Sequence, residues 1–63
     1  MKFIVEIFHH GLYKRRRVFS TRDAAVAFVN DWQDDGHDAH DGWQAQLVYN
    51  GKIEQFGING NNR

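Results

Sequence analysis

The residues with which this chain could do chemistry are its four histidines and its carboxylates, and they gather in two places. His37-Asp38 and His40-Asp41 share one short segment, and His9-His10 stand together near the N-terminus. Imidazole and carboxylate are transition-metal ligands by type. A structural zinc needs four converging ligands, and here there is no Cys and no rigid helical spacing to bring them together. The expectation is no metal and no cofactor. Nucleophiles are scarce too. Ser20 and Thr21, the chain's one Ser and one Thr, are adjacent where a helix should begin, and capping explains both. Without Cys, the usual thiol and hydroxyl nucleophiles are nearly gone. A His/Asp acid–base pair stays open, but a domain this small has little room for a deep pocket. Gly57-Ile58-Asn59-Gly60 lacks the Lys-Ser/Thr that lets a Gly-rich loop hold nucleotide phosphates. The chain is therefore read as a non-enzyme with no catalytic residue.

Charge is sorted along the chain. Residues 1–22 carry six bases (Lys2, Lys14, Arg15, Arg16, Arg17, Arg22) against Glu6, a net +5. Residues 23–41 carry six acids (Asp23, Asp31, Asp34, Asp35, Asp38, Asp41) and no Lys or Arg, a net −6. The rest adds +1, and the whole is neutral. Asp31, Asp34, Asp35, Asp38 and Asp41 could imitate a row of phosphates and occupy a basic groove on a partner. They could also hold a divalent cation through oxygen, but the twelve-residue calcium-loop pattern is missing. A solvated, solubilising loop is the plain reading. Lys14, Arg15, Arg16, Arg17 and Arg22 could contact nucleic-acid phosphates, with Phe8 or Tyr13 stacking on bases. On a strand, Lys14 and Arg16 would face one way and Arg15 and Arg17 the other. Such charges also protect an exposed sheet edge. Arg15 and Arg17 could instead fold over that edge to meet helix acids such as Asp31.

These groups must be held by a small scaffold. A 63-residue chain makes one domain, buries only about 60% of its unfolded surface, and has no disulfide to add margin. Nine aromatic residues can supply the core. Residues 2–8 and 13–19 read as strands of a hairpin. A three-residue loop at 10–12 pairs Phe3 with Phe19, Ile4 with Val18 and Glu6 with Arg16. Ser20 is expected to cap a helix, with Asp23 in its first turn. Ala25, Phe28, Val29 and Trp32 have the spacing of a core-facing stripe, and Gly36 suits the position after the helix end. Asp34 and Asp35 stand at the negative end of the helix dipole, against local preference. Residues 43–49 alternate in polarity, Asn50-Gly51 is a type I′ hairpin signal, and residues 52–58 close the sheet. That pairing sets Trp43 opposite Ile58, Ala45 opposite Phe56 and Leu47 opposite Glu54.

The expected fold is α+β, a ββαββ chain forming a four-stranded antiparallel sheet with one helix packed on one face. Residues 1–58 form the domain and residues 59–63 a flexible tail. A sheet order of 2-1-3-4 best fits the short connections, with 2-1-4-3 open. The uncovered face would carry Ile4, Phe8, Val18, Val48 and Ile53 among Glu6, Lys14, Arg16, Gln44, Gln46 and Gln55. Such a mixed surface suits an interface.

A compact, Cys-free chain with ββαββ layout and the acidic patch Asp31, Asp34, Asp35, Asp38 and Asp41 resembles the small anti-defence proteins of phages and mobile elements, the anti-CRISPR inhibitors among them. The resemblance implies a stoichiometric inhibitor of a bacterial defence or nucleic-acid-handling complex. Its partner would be a larger protein or ribonucleoprotein, engaged through the acids or the open sheet face. The alternative is a small nucleic-acid-binding or regulatory domain using the basic second strand, although a pI near 6.9 speaks against a general nucleic-acid binder. A homodimer through the open face is a third reading. No apolar run is long enough for a membrane span, and Met1-Lys2-Phe3-Ile4-Val5-Glu6 does not read as a secretory signal. The expected location is cytoplasmic, in a bacterial host cell if the chain is phage-encoded.

Overall fold

A computed structural model describes residues 1–56. The strands are β1 (Phe3–His9), β2 (Leu12–Phe19), β3 (Trp43–Tyr49) and β4 (Lys52–Phe56). One helix, α1 (Arg22–Asp34), follows the first hairpin, and a single 3₁₀ turn (Ala39–Asp41) precedes β3. The sheet order is β2-β1-β3-β4, antiparallel throughout. The α+β, ββαββ reading and the 2-1-3-4 order hold. Ile58, the expected partner of Trp43, and the tail at 59–63 lie outside the described residues.

Alternation along the strands builds the core. Val5 and Ile7 of β1 and Ala45 and Leu47 of β3 point to the helix side and are fully buried. Ala25, Val29 and Trp32 of α1 close over them. Phe28, the fourth residue of the expected stripe, packs against this cluster from its border with Phe3, Phe19, Tyr49 and Phe56. The core is one layer of side chains thick, so each methylene counts.

The first hairpin corrects the expected loop. Its turn has two residues, His10 (φ 53°) and Gly11 (φ 80°), rather than three. Positive φ at both central positions is what a type I′ turn requires, and that turn matches the strand twist. Phe8 pairs with Tyr13, and His9 with Leu12. From Ile7–Arg15 outward to Phe3–Phe19 the register is the expected one, with Glu6 opposite Arg16. The two registers differ by one residue, and Lys14 is that residue, set in a β-bulge. The second hairpin turns at Asn50 (φ 50°) and Gly51 (φ 73°) with the expected pairing.

The helix cap is also one residue displaced. Thr21, in extended conformation, caps α1 instead of Ser20, and its Oγ1 accepts from the Ala24 amide at 3.1 Å. That bond satisfies an amide that the helix start would otherwise leave without a partner. At the other end Asp35 is the C-cap, and Gly36 (φ 99°) takes the left-handed position. The Gly36 amide donates to Gln33 O at 3.1 Å, one of the two bonds of a Schellman motif. The residue after Gly36 then folds back toward Trp32, and this reversal positions the site below.

Candidate functional site: an aromatic and basic cleft beside the helix end

Where α1 ends, five aromatic side chains and two flexible cations come together. His37 stacks on Trp32 (centroids 4.9 Å, 14° between planes), and its Nδ1–H donates to Trp32 O at 2.8 Å. A carbonyl can only accept, so this bond places the proton on Nδ1. Both rings meet Trp43 edge-on, at 5.8 Å from Trp32 and 4.8 Å from His37. His9 stacks on Trp43 at 4.0 Å and donates through Nε2–H to Asp41 O at 3.0 Å. The His10 ring lies 4.1 Å from that of His9. The His10 amide donates to Gly42 O at 2.8 Å, tying the first hairpin to the loop before β3. Asp38 closes the 3₁₀ turn: its Oδ1 accepts from the His40 amide, and its carbonyl from the Asp41 and Trp43 amides.

A cleft of about 310 Å³ opens beside these rings, lined by Ile7, Lys14, Arg15, Trp32, His37 and Trp43. Lys14 was expected on the open sheet face. The bulge instead sets Lys14 and Arg15 together opposite Ile7, and both line the helix-side cleft. Tyr13 takes the vacated place on the open face, its ring 5.8 Å from that of Phe8. Among the described residues no three His, Asp or Glu side chains converge as metal ligands would.

The basic run is therefore divided four ways. Lys14 and Arg15 line the cleft, and Arg16 faces outward opposite Glu6. Glu6 accepts from Gln46 Nε2 at 2.6 Å, across the other side of β1. Arg17 lies over Phe28 and Phe19, 5.1 and 5.8 Å from their centroids, where cation–π attraction holds it. Arg22 is committed elsewhere. Its Nε and Nη2 donate to Glu54 at 3.1 and 2.5 Å, the one ion pair among the described residues. Tyr49 O–H donates to the same carboxylate. Hydrogen bonds from Arg22 and then Tyr49 hold the Glu54 pKa down at about 2 and raise that of Arg22. This clamp joins the helix start to β4, and it engages the guanidinium of Arg22, one of the residues expected to contact phosphates. Arg15 and Arg17 do not reach Asp31 either, because a ring pair and the cleft hold them on the sheet.

The acids fall into two groups. Asp31, Asp34 and Asp35 are exposed on the last turn of α1 and its cap. Asp41 is exposed in the 3₁₀ turn, whereas Asp38 is half-buried and serves that turn. On the open sheet face, Val18 and Ile53 are exposed (49% and 60%), Tyr13 is 54% exposed, and Ile4, Phe8 and Val48 are half-buried. No helix of the described residues is long and apolar enough to cross a membrane.

The convergence of Trp32, His37 and Trp43 had one overlooked signal in the sequence. In a Schellman motif the residue after the glycine contacts the residue four before it, and these are His37 and Trp32. The bulge at Lys14 had no comparable signal. Comparison with protein-family models, curated proteins and solved structures finds no match to this chain.

Proposed function

We propose that this protein is a non-catalytic, stoichiometric binding protein that docks on a larger protein through the sheet face its helix leaves uncovered. One observation supports the reading most: Tyr13, Val18 and Ile53 stay exposed beside Ile4, Phe8 and Val48, in a chain too small to leave such a face bare without consequence. Val18, Ile4, Val48 and Ile53 form one apolar row across the four strands and Tyr13 and Phe8 part of another, with the polar row Arg16, Glu6, Gln46 and Gln55 between them, a mixed surface of the kind protein interfaces use. Asp31, Asp34 and Asp35 at the helix end and Asp41 in the 3₁₀ turn are exposed acids away from this face, and their field would speed the encounter with a basic partner. The likeness in size, layout and acidic patch to anti-CRISPR-type inhibitors makes a bacterial defence or nucleic-acid-handling complex the partner class of this proposal.

The test is capture from a bacterial lysate with wild type, with Val18→Asp combined with Ile53→Asp, and with Asp34→Lys combined with Asp35→Lys. A one-to-one protein complex that the sheet-face variant abolishes is the expected result. Capture unchanged by the sheet-face variant overturns the docking face, and capture unchanged by the Asp variant overturns the part given to the acids. Sedimentation at micromolar concentration gives the competing outcome. A dimer that the sheet-face variant dissolves would assign this surface to self-association instead.

A further inference from the structure

The cleft beside the helix end lies on the opposite side of the sheet from the proposed docking face, and its chemistry is different. Its lining is two indoles, an imidazole, one aliphatic side chain and two cations, with no carboxylate. This chain has as many acids as bases, and its acid-rich segment begins on the very helix turn that supplies Trp32. An acid-free lining there calls for explanation. The β-bulge supplies the other half of the arrangement. Regular alternation would send Lys14 to one face and Arg15 to the other, whereas the bulge brings both to the cleft. Bulges recur where a strand must re-aim a side chain.

The geometry points to a binding site for a nucleoside monophosphate, with the base against the aromatic wall that Trp32, His37 and Trp43 form and the phosphate between Lys14 and Arg15. Flat aromatic surface attracts bases without regard to sequence, and Lys and Arg are the side chains that recognise phosphate. The volume limits the size. At about 310 Å³ the cleft stands at the lower end of ligand pockets, which suits one nucleotide. The ligand is either a free nucleotide or the phosphorylated end of a single strand, since both present the same base and phosphate. His37 is held for this role. Its Nδ1–H is occupied by Trp32 O, which orients the ring and leaves Nε2 as its remaining polar atom.

Both tryptophans of the chain line the cleft, so fluorescence excited selectively at tryptophan, beyond the absorption of Tyr13 and Tyr49, reports on it. The experiment titrates the full chain with adenosine monophosphate, adenosine, inorganic phosphate, and a short single-stranded DNA with and without a terminal phosphate. Indole N–H chemical shifts serve as the second readout. Saturable binding of the monophosphate, with adenosine and inorganic phosphate each at least tenfold weaker, is expected. Lys14→Gln with Arg15→Gln should weaken it by about tenfold or more, because bonds to charged groups carry at least that much. Both side chains are exposed, so the melting temperature should stay put. Arg16→Gln, on the opposite face, should leave binding within twofold. Tighter binding of the phosphorylated strand end assigns that source, and tighter binding of the free nucleotide assigns the other. No saturable change, equal binding of inorganic phosphate, or equal weakening by Arg16→Gln overturns the site.

Discussion

Gly42 joins the 3₁₀ turn to β3, directly before the cleft residue Trp43. Its φ is 87°, in the left-handed region, and a Cβ there would sit 2.4 Å from His10 Nδ1 and 2.5 Å from Cε1. Gly36 is a natural control: its φ of 99° is also left-handed, but a Cβ would meet nothing within 4 Å. Left-handed backbone costs a residue with a Cβ about 1–2 kcal/mol, so Gly36→Ala should destabilise by that amount. Gly42→Ala carries the same strain and must also displace the His10 ring from its contact with His9. His10 is exposed and can swing away, so the addition is the lost ring contact rather than a full clash, about 1 kcal/mol. Gly42→Ala should therefore melt lower than Gly36→Ala by roughly 4–8 °C, the shift about 1 kcal/mol produces in a domain of this size. Thermal denaturation followed by circular dichroism measures both. Adding His10→Ala to each variant completes the cycle: the excess should vanish from the Gly42 variant and leave the Gly36 variant's own increment unaltered. Equal melting temperatures for Gly42→Ala and Gly36→Ala would refute the packing of the His10 ring against the loop.

Two further effects follow from the core and from the clamp. Leu47 is fully buried at the centre of a single-layer core, so Leu47→Ala should cost about 2–5 kcal/mol, most of what a domain this small possesses. Urea titration should show it largely unfolded without denaturant, and a loss under about 1 kcal/mol would contradict the burial. Glu54 is depressed in the fold to about 2 from 4.5, so its contribution is present above pH 4.5 and fades as pH falls toward 2. Wild type should lose melting temperature across that window, and Glu54→Gln should lose less, since it has no carboxylate to protonate. Parallel curves for the two proteins would remove the Arg22–Glu54–Tyr49 clamp as the cause.

Local chemistry made much of this fold legible. Asn50-Gly51 specifies a two-residue turn whatever surrounds it, because those residues tolerate positive φ, and the turn then dictates the β3–β4 register. Strand alternation divided Val5, Ile7, Ala45 and Leu47 from Ile4, Phe8 and Val48, and helical spacing put Ala25, Val29 and Trp32 on one stripe. The choice between Ser20 and Thr21 was beyond such reasoning. Both hydroxyls can cap, and the selection depends on how far β2 runs before the chain leaves the sheet. Register in the first hairpin was legible through Glu6 and Arg16, but the turn that achieves it was not, since a three-residue loop and a two-residue turn with a bulge give the same outer pairing.

The candidate cleft divides in the same way. Composition alone specified that Lys14, Arg15, Trp32, His37 and Trp43 would exist in a chain with no Cys and balanced charge, and local patterns placed each on its strand, helix or loop. Their meeting is a tertiary event. Lys14 reaches the cleft because a hairpin twist must be matched with one residue to spare, and His37 because a left-handed glycine turns the chain back over Trp32. Arg22 is engaged by Glu54 and Arg17 by the Phe28 ring, partners that lie on other elements. Pairwise contacts of that kind depend on packing in three dimensions, where a single bulge reassigns a side chain to the other face of a sheet.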